Sequence, residues 1–263
     1  MSVARAREVR DRLRALGFVV HEWPGWESRG NGQSSAYEGA IWHHTGSAYG
    51  SAYRGLVDGR PDLSGPLCNF AGNADGSFTL IAAHPANHAG ASGGRNTAPL
   101  PRTRTFNRCV MGLEIVYPGD KPMTDAQYRA MLAWGKVTTD VFGFSDINRV
   151  KGHAETSITG KWDPGFAPGK TIDLNKARAD ARAGKGGDDM FEDGDRNALK
   201  SIKDNLYYGG GDRSRLDDLL DLVKSIHEMV SSDHQNLYHG GGDRSRLDDL
   251  IDDVKAIKSG KVK

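Results

Sequence analysis

The sequence predicts an α/β protein with a mixed central β-sheet flanked by helices, followed by a small C-terminal region of helical repeats. Three observations predict this class. Short apolar runs of strand length alternate with longer segments of helical periodicity over about the first 180 residues. The Asp75-Gly76 pair between two such runs is typical of a β-hairpin. Beyond about residue 190 the composition changes, and one segment occurs twice.

Each element of the predicted sheet domain has a local signal. A partial apolar stripe indicates the first helix, and Thr124 with Gln127 forms a capping box that opens the longest one. Apolar runs bounded by turn residues indicate the strands. A loop as long as the one over residues 84–108 is usually functional in a compact domain. In chain order we expect a helix over 3–16, a loop over 22–38, a strand over 39–44, a helix over 50–59, strands over 67–71 and 77–83, a loop over 84–108, a strand over 110–117, and helices over 124–141 and 173–182.

The change in composition predicts three parts: a domain over 1–182, a linker over 183–192 and a repeat region over 193–263. The segment Asn205–Leu219 recurs as Asn236–Leu250, with a period of 31 residues. Each copy places a Gly-rich turn before a short amphipathic helix, and helices this short are marginal in water unless they pack on something. The repeats are interpreted as a wall-polymer binder, an oligomerisation element or a helical appendage. Their unpartnered apolar seams favour self-association into a homo-oligomer.

Composition excludes several classes of protein. Residues 1–187 contain 23 Lys and Arg against 17 Asp and Glu, whereas residues 188–263 contain 12 against 17. No basic cluster is interleaved with aromatic residues, so nucleic-acid binding is not expected. No run approaches the roughly 20 apolar residues of a membrane span, and the N-terminus lacks the apolar run of a secretory signal. Two cysteines, Cys68 and Cys109, do not make a disulfide framework; they are open to pairing, but free thiols are favoured.

The segment from His153 to Asp163 is the strongest chemical signal. It contains two kinds of metal-ligand side chain with Lys161 between them. A histidine from elsewhere would complete a set of two imidazoles and one carboxylate. Three protein ligands are typical of a catalytic zinc, which keeps its fourth position for water, whereas a structural zinc usually has four ligands, often thiolates. In a chain with two cysteines, this pattern indicates a catalytic centre.

The segment Trp42-His43-His44 offers the candidates for the remote histidine. Side chains alternate between the faces of a strand, so Ile41 and His43 point one way while Trp42 and His44 point the other. Only one of the two histidines can therefore readily face a given metal. The strand pattern alone does not choose between them.

Five segments stand in an order that resembles one enzyme family. They are Trp42-His43-His44-Thr45, Asp75-Gly76, Asn87-His88-Ala89-Gly90, Gly112-Leu113-Glu114-Ile115, and His153 followed by Lys161-Trp162-Asp163-Pro164-Gly165. This set resembles the zinc-dependent N-acetylmuramoyl-L-alanine amidases, which include phage amidases, anhydro-muropeptide amidases and peptidoglycan recognition proteins. The resemblance covers roughly residues 20–180, and the closing His-x7-Lys-x-Asp-Pro-Gly spacing is its specific part. It implies the mixed α/β fold of those proteins.

The resemblance also implies a ligand set. In that family the first histidine after the strand binds the metal, which selects His43. With His153 and Asp163, it would hold one Zn²⁺. Zinc lowers the pKa of a bound water to about 7 and polarises a carbonyl, so hydroxide becomes available at neutral pH.

Three further residues take their roles from the resemblance. Lys161 would stabilise the oxyanion of the tetrahedral intermediate, and Glu114 would be the general base for the attacking water. His88 matches a histidine of the family's substrate-facing loop and is expected to contact a glycan or lactyl oxygen. Many relatives have Tyr-His-Phe where this chain has Cys68-Asn69-Phe70. Because a thiol cannot replace the tyrosine's hydrogen bonding well, we expect catalysis to depend on Glu114 and Lys161 instead.

The expected function is hydrolysis of bacterial peptidoglycan, at the amide bond between the lactyl group of N-acetylmuramic acid and L-alanine. The absent signal segment and the appended repeats favour a phage endolysin, held in the host cytoplasm until release onto the cell wall. A tail-associated phage lysin and a bacterial enzyme are less favoured. The alternative from another class is a non-catalytic peptidoglycan-binding protein of the same fold. A second alternative is hydrolysis of another wall bond, such as a peptide crosslink.

Overall fold

The structure is a computed structural model, and it describes residues 2–34, 36–47 and 52–186. The predicted repeat region and most of the predicted linker lie outside these residues. In chain order the helices and strands are α1 (Ser2–Ala15), β1 (Val20–Glu22), β2 (Gly39–His44), α2 (Ala52–Asp58), β3 (Gly59–Arg60), β4 (Leu63–Ser64), β5 (Phe70–Gly72), β6 (Phe78–Leu80), β7 (Val110–Ile115), α3 (Asp125–Phe142), β8 (Val150–Gly152), α4 (His153–Thr156), β9 (Gly165–Ala167), β10 (Lys170–Thr171) and α5 (Leu174–Arg182).

The longest helix, α3, is delimited by the capping signals at its two ends. The Thr124 hydroxyl accepts a hydrogen bond from the Gln127 amide at 3.1 Å, and the Gln127 side chain accepts one from the Thr124 amide at 3.1 Å. This reciprocal pair satisfies donors that have no partner within the helix, which confirms the predicted capping box. At the other end Gly143 has a φ of 66°, the left-handed conformation that commonly terminates helices.

Six strands form the central sheet in the order β1-β6-β5-β7-β2-β8. The β5–β6 pair is antiparallel, while the other four neighbouring pairs are parallel. The predicted turn joins β5 to β6: the Asn73 amide donates to the Ser77 carbonyl at 2.8 Å, and Gly76 has a φ of 84°. The mixed sheet and its hairpin are therefore confirmed.

One face of the sheet packs against α1, α3 and α5 in the main hydrophobic core. Trp42 of β2 lies fully buried in this core. A Cβ atom at Gly135 of α3 would lie 2.5 Å from the Trp42 ring, so glycine at that position lets the helix approach the strand closely. Ile41 points to the other face, where it packs with Phe106 and Val110. The alternation predicted for β2 thus places His43 on the face that the three helices leave open.

Several predicted strands are longer than the observed ones, and six strands were not predicted: β1 and β8 of the central sheet, and the two short pairs β3–β4 and β9–β10. The strands expected over 67–71 and 77–83 are reduced to β5 and β6. At their ends the side chain of Asn69 replaces strand pairing, because it donates to the carbonyls of Ala82 and His84 and accepts from the Gly112 amide. β1 and β8 have three residues each, too few for a periodic pattern, and are defined by pairing with β6 and β2.

The other fold-level expectations concern helices and thiols. The helices expected over 3–16, 50–59 and 173–182 correspond to α1, α2 and α5. Within the described residues, no helix combines the length and apolar character that crossing a membrane requires. Cys68 and Cys109 are both free thiols; Cys68 is buried and Cys109 is partly buried.

Candidate metal centre

Two neighbouring strands present His43 and Glu114 on the same side of the sheet. β2 and β7 are parallel and in register, with His43 directly opposite Glu114. His43 is buried, and burial lowers the pKa of its imidazole to about 4, with nearby His153 contributing and the Asp163 carboxylate opposing. The ring is therefore neutral at pH 7, the state in which an imidazole binds a metal.

His153 and Asp163 lie beside His43, and both come from the segment that follows α3. His153 is the first residue of α4, directly after β8, and β8 pairs with β2. Asp163 follows in a loop that is held to this helix, because its carbonyl accepts from the Ala154 amide at 3.0 Å. Asp163 Oδ2 lies 2.9 Å from His43 Nδ1 and 3.1 Å from His153 Nδ1. The three side chains predicted to act together are thus in mutual contact.

These residues fit a small metal ion of the zinc type. One ligand atom from each lies within 4.8 Å of the others, and all three side chains are buried. Two imidazole nitrogens and a carboxylate oxygen are ligands that zinc accepts, and three of them leave one coordination position for water or substrate. The donor set, the burial and the spacing are therefore compatible with the predicted centre.

His44, the other member of the pair, faces away from the three candidate ligands and supports the Asp163 loop. Its Nδ1 accepts a hydrogen bond from the Gly165 amide at 3.0 Å, while the Tyr117 hydroxyl donates to the Gly165 carbonyl at 2.5 Å. The His44 ring also packs edge-on against Trp162, at 4.5 Å between centroids. Sequence reasoning assigned His44 no such contact, although the strand alternation indicated that it would face away from His43.

Glu114 is partly buried beside the ligands, and its Oε2 has no hydrogen-bond partner within the described part of the chain. Burial, reinforced by the neighbouring Asp163 carboxylate, raises the pKa of Glu114 well above its usual value, and the Lys161 charge opposes this. A carboxyl group with a raised pKa is suited to exchange protons near neutral pH. A buried carboxylate oxygen without a partner inside the protein is also free to bond to a ligand.

A groove of about 490 Å³ opens above these residues. Lys161 is exposed and lines this groove. Burial lowers the pKa of His44, and the Lys161 charge contributes to this shift. Cys68 is fully buried beneath Glu114 and is not among the described residues that line the groove. The predicted ligand, catalytic and substrate-contact residues do line it: His43, His88, Glu114, His153, Lys161 and Asp163.

His88 lies on the long loop that precedes β7 and is partly buried. Its Nδ1 is 2.9 Å from His43 Nε2, and its Nε2 is 3.2 Å from the Val110 carbonyl. Burial, with the His43 ring contributing, lowers the pKa of His88 well below its usual value. The structure therefore places His88 next to the candidate metal centre. His88 contacts Nε2 of His43, whereas the other ring nitrogen of His43, Nδ1, faces Asp163.

A buried ion pair supports the helix that begins with His153. Arg178 of α5 forms two hydrogen bonds to the Glu155 carboxylate, at 2.7 and 2.9 Å. Glu155 in turn accepts from the Gly152 amide at 2.9 Å, and Arg178 also donates to the Val150 carbonyl. Sequence analysis missed this network, since its members are an arginine and a glutamate with no motif between them.

Comparison with known proteins gives one family and several solved structures. A family model described as N-acetylmuramoyl-L-alanine amidase matches residues 33–166, just over half of the chain. A search of curated proteins gives no match. The structure is similar to an endolysin amidase from Clostridium intestinale URNW, at 15% identity and a TM-score of 0.44, over 62% of this chain and 95% of that one.

Two further solved structures show similar values. AmpDh3 from Pseudomonas aeruginosa, in complex with an anhydromuramic pentapeptide, is 16% identical with a TM-score of 0.44, over 76% of each chain. The Ph2119 endolysin of a Thermus scotoductus MAT2119 bacteriophage is 16% identical with a TM-score of 0.43, over 64% of this chain and 99% of that one.

Proposed function

Because the chain belongs to the N-acetylmuramoyl-L-alanine amidase family, we propose that it hydrolyses peptidoglycan with a zinc ion held by His43, His153 and Asp163. The bond cleaved is the amide between the lactyl group of N-acetylmuramic acid and L-alanine. The observation that carries the proposal is the convergence of these three buried side chains within 4.8 Å of one another. They come from three separate segments and meet beside Glu114, at a groove.

Different residues of the chain have different roles in the proposed hydrolysis. Zinc, when bound, polarises the scissile carbonyl and makes hydroxide available near neutral pH. Glu114 takes a proton from the attacking water and returns it to the departing amine of alanine, a role that its raised pKa supports. Lys161, at the groove edge, stabilises the negative charge that develops on the carbonyl oxygen. His88 lines the same groove, where the family resemblance predicts a contact with a glycan or lactyl oxygen.

The proposed biological role is that of a phage endolysin acting on the bacterial cell wall. Family membership supports the substrate, and the groove of about 490 Å³ has the volume of an ordinary ligand-binding cleft. The alternative is a peptidoglycan-binding protein of the same fold without activity. The presence of Glu114 and Lys161 at the same groove as the three ligands favours the enzyme.

The test is to incubate the protein with purified bacterial cell walls, with zinc and with a chelator, and to identify newly exposed N-terminal residues. We expect alanine to appear in the zinc-loaded sample alone. Zinc-loaded protein that sediments with the walls but releases no alanine would identify a binder. Mass spectrometry of the released fragments distinguishes amidase products, in which glycan and peptide separate, from products of crosslink cleavage.

A further inference from the structure

The contact between His88 and His43 fixes the positions of the protons on both rings. A backbone carbonyl only accepts hydrogen bonds, so His88 Nε2, 3.2 Å from the Val110 carbonyl, is the protonated nitrogen of a neutral ring. Its Nδ1 then carries a lone pair. The 2.9 Å contact between this atom and His43 Nε2 requires the proton on His43 Nε2. His43 Nδ1 is left with a lone pair, and this is the nitrogen that faces Asp163 Oδ2 at 2.9 Å.

Both the ring of His88 and the backbone that carries it are held in place. The ring lies against Gly112 of β7, where a Cβ atom would come within 2.6 Å of His88 Nδ1. The backbone is held by the Asn107 side-chain oxygen, which accepts from three successive backbone amides, those of His88, Ala89 and Gly90, at 3.2, 2.7 and 3.1 Å. The loop can therefore hold the ring in one orientation before any ligand arrives.

We propose that His88 is a positioning residue that selects the tautomer of His43 and so prepares the metal centre. Two acceptors then face each other at 2.9 Å without a proton between them, His43 Nδ1 and Asp163 Oδ2, and His153 Nδ1 lies 3.1 Å from the same carboxylate oxygen. A cation relieves the repulsion among these lone pairs. A histidine ligand commonly donates its second N–H to a carboxylate or carbonyl group, and loss of such a partner typically lowers metal affinity by about 10–100-fold. In this protein the partner of His43 is the imidazole of His88, which itself donates to the Val110 carbonyl.

This inference rests on the proposed metal centre. It can be distinguished from the predicted substrate contact of His88, because the two roles affect different measured quantities. A residue that only contacts substrate affects KM and leaves metal affinity unaltered. A residue that selects the tautomer of a ligand affects metal affinity in the absence of any substrate. Both ring nitrogens of His88 already have partners inside the protein, which favours the second role.

The first experiment measures zinc affinity by competition with a chromophoric chelator, for full-length wild type, His88→Phe, His88→Gln and His21→Ala. Phenylalanine retains the ring volume but removes both nitrogens, and we expect affinity to fall about 10–100-fold. Glutamine offers one acceptor and one donor, and we expect it to recover much of that loss. His21 is exposed on β1, so its removal controls for the loss of a histidine elsewhere. Equal affinity of His88→Phe and wild type would overturn the inference.

A second measurement needs no variant and covers the case in which His88→Phe does not fold. Long-range ¹H–¹⁵N NMR of the wild type reports which nitrogen of each neutral histidine is protonated. We expect His43 to be protonated on Nε2 both without metal and with zinc. Protonation of His43 on Nδ1 in the metal-free protein would overturn the inference. Failure of the wild type to bind zinc would instead contradict the proposed function, so the two failures are distinguishable.

Discussion

At the scale of single residues, the proposed chemistry of this centre depends on two ionisable groups with opposite environments. Glu114 is partly buried, and one of its oxygens has no hydrogen-bond partner among the residues that the structure describes, whereas Lys161 is exposed and lines the same groove. Neither is among the three proposed ligands. Each can therefore be changed while the metal ligands stay in place, which separates their proposed roles from metal binding.

The first prediction concerns Lys161→Met. Loss of one group that stabilises developing negative charge typically lowers kcat by about 10²–10³-fold. We expect a decrease of that size in alanine release, with zinc content unchanged. Lys170→Met is the matched control, because Lys170 is an exposed lysine on β10 outside the groove. A Lys161→Met enzyme with wild-type kcat would show that the positive charge has no part in the reaction.

The second prediction concerns pH and Glu114→Gln. The folded protein holds the Glu114 proton more tightly than the unfolded chain does, because burial raises the pKa of this group. Its contribution to the free energy of unfolding is therefore present below the usual carboxyl range and is lost as pH rises towards the raised pKa. Glutamine does not titrate. In metal-free protein we expect urea unfolding to show wild type losing stability relative to Glu114→Gln as pH rises above the usual carboxyl range. A difference that stays constant with pH would contradict this.

Sequence alone predicted which side chains come together at the candidate centre. The spacing from His153 to Asp163 and the strand alternation at His43 predicted side chains that the structure brings into contact. Which of His43 and His44 faces the centre required the family resemblance, because alternation separates two faces without saying which one is covered by helices. The partner of His88 was not predictable, since it depends on a loop whose position is fixed by Asn107.

At the scale of elements, the position of His153 depends on the contact between α4 and α5. Arg178 and Glu155 have side chains that are 4% and 10% exposed, so this pair is almost entirely removed from water. The Glu155 carboxylate also holds the Gly152 amide, one residue before His153. Helix α5 thus supports His153, one of the proposed ligands, through the Arg178–Glu155 pair.

The third prediction is that Arg178→Met destabilises the protein strongly. Removing one member of a buried ion pair leaves an uncompensated charge and costs about 3–5 kcal/mol. The control is Arg182→Met on the same helix, whose ion pair with Asp146 is 58% and 47% exposed and is expected to contribute little to stability, because water screens it. Urea denaturation measures both. Equal effects of the two substitutions would show that the Arg178 pair has no special structural role.

Elements with long patterns were predictable and short ones were not. The capping box located α3 to within a residue because its signal is local. β8 and α4 together span seven residues from Val150 to Thr156, and their conformation is determined by pairing with β2 and by the Arg178 network. Such contacts come from distant segments, so no window of the sequence contains them.

At the scale of the whole molecule, the proposed centre is complete within the described residues. The strands, the helix α4 and the loop that provide its ligands all precede α5. The predicted boundaries of the repeat region and its self-association remain predictions. They are open to a direct test because the repeats follow the centre in the chain.

The fourth prediction compares the full chain with a chain of residues 1–187. We expect the shorter chain to keep its zinc and to hydrolyse a soluble muropeptide at a comparable rate, since no proposed site residue is removed. Sedimentation equilibrium should give the shorter chain the mass of a single copy and the full chain more than its 28.5 kDa, if the repeats self-associate. Single-chain masses for both would contradict the oligomeric role of the repeats.

The most direct test of the central claim is the zinc content of His153→Ala beside wild type and His21→Ala, measured by mass spectrometry after dialysis against dilute zinc. With three protein ligands, we expect about one zinc per chain in wild type and in His21→Ala. Loss of one ligand should leave His153→Ala with little zinc and no alanine release from cell walls. The same zinc content in all three proteins would contradict the account, because the ion would then be bound elsewhere.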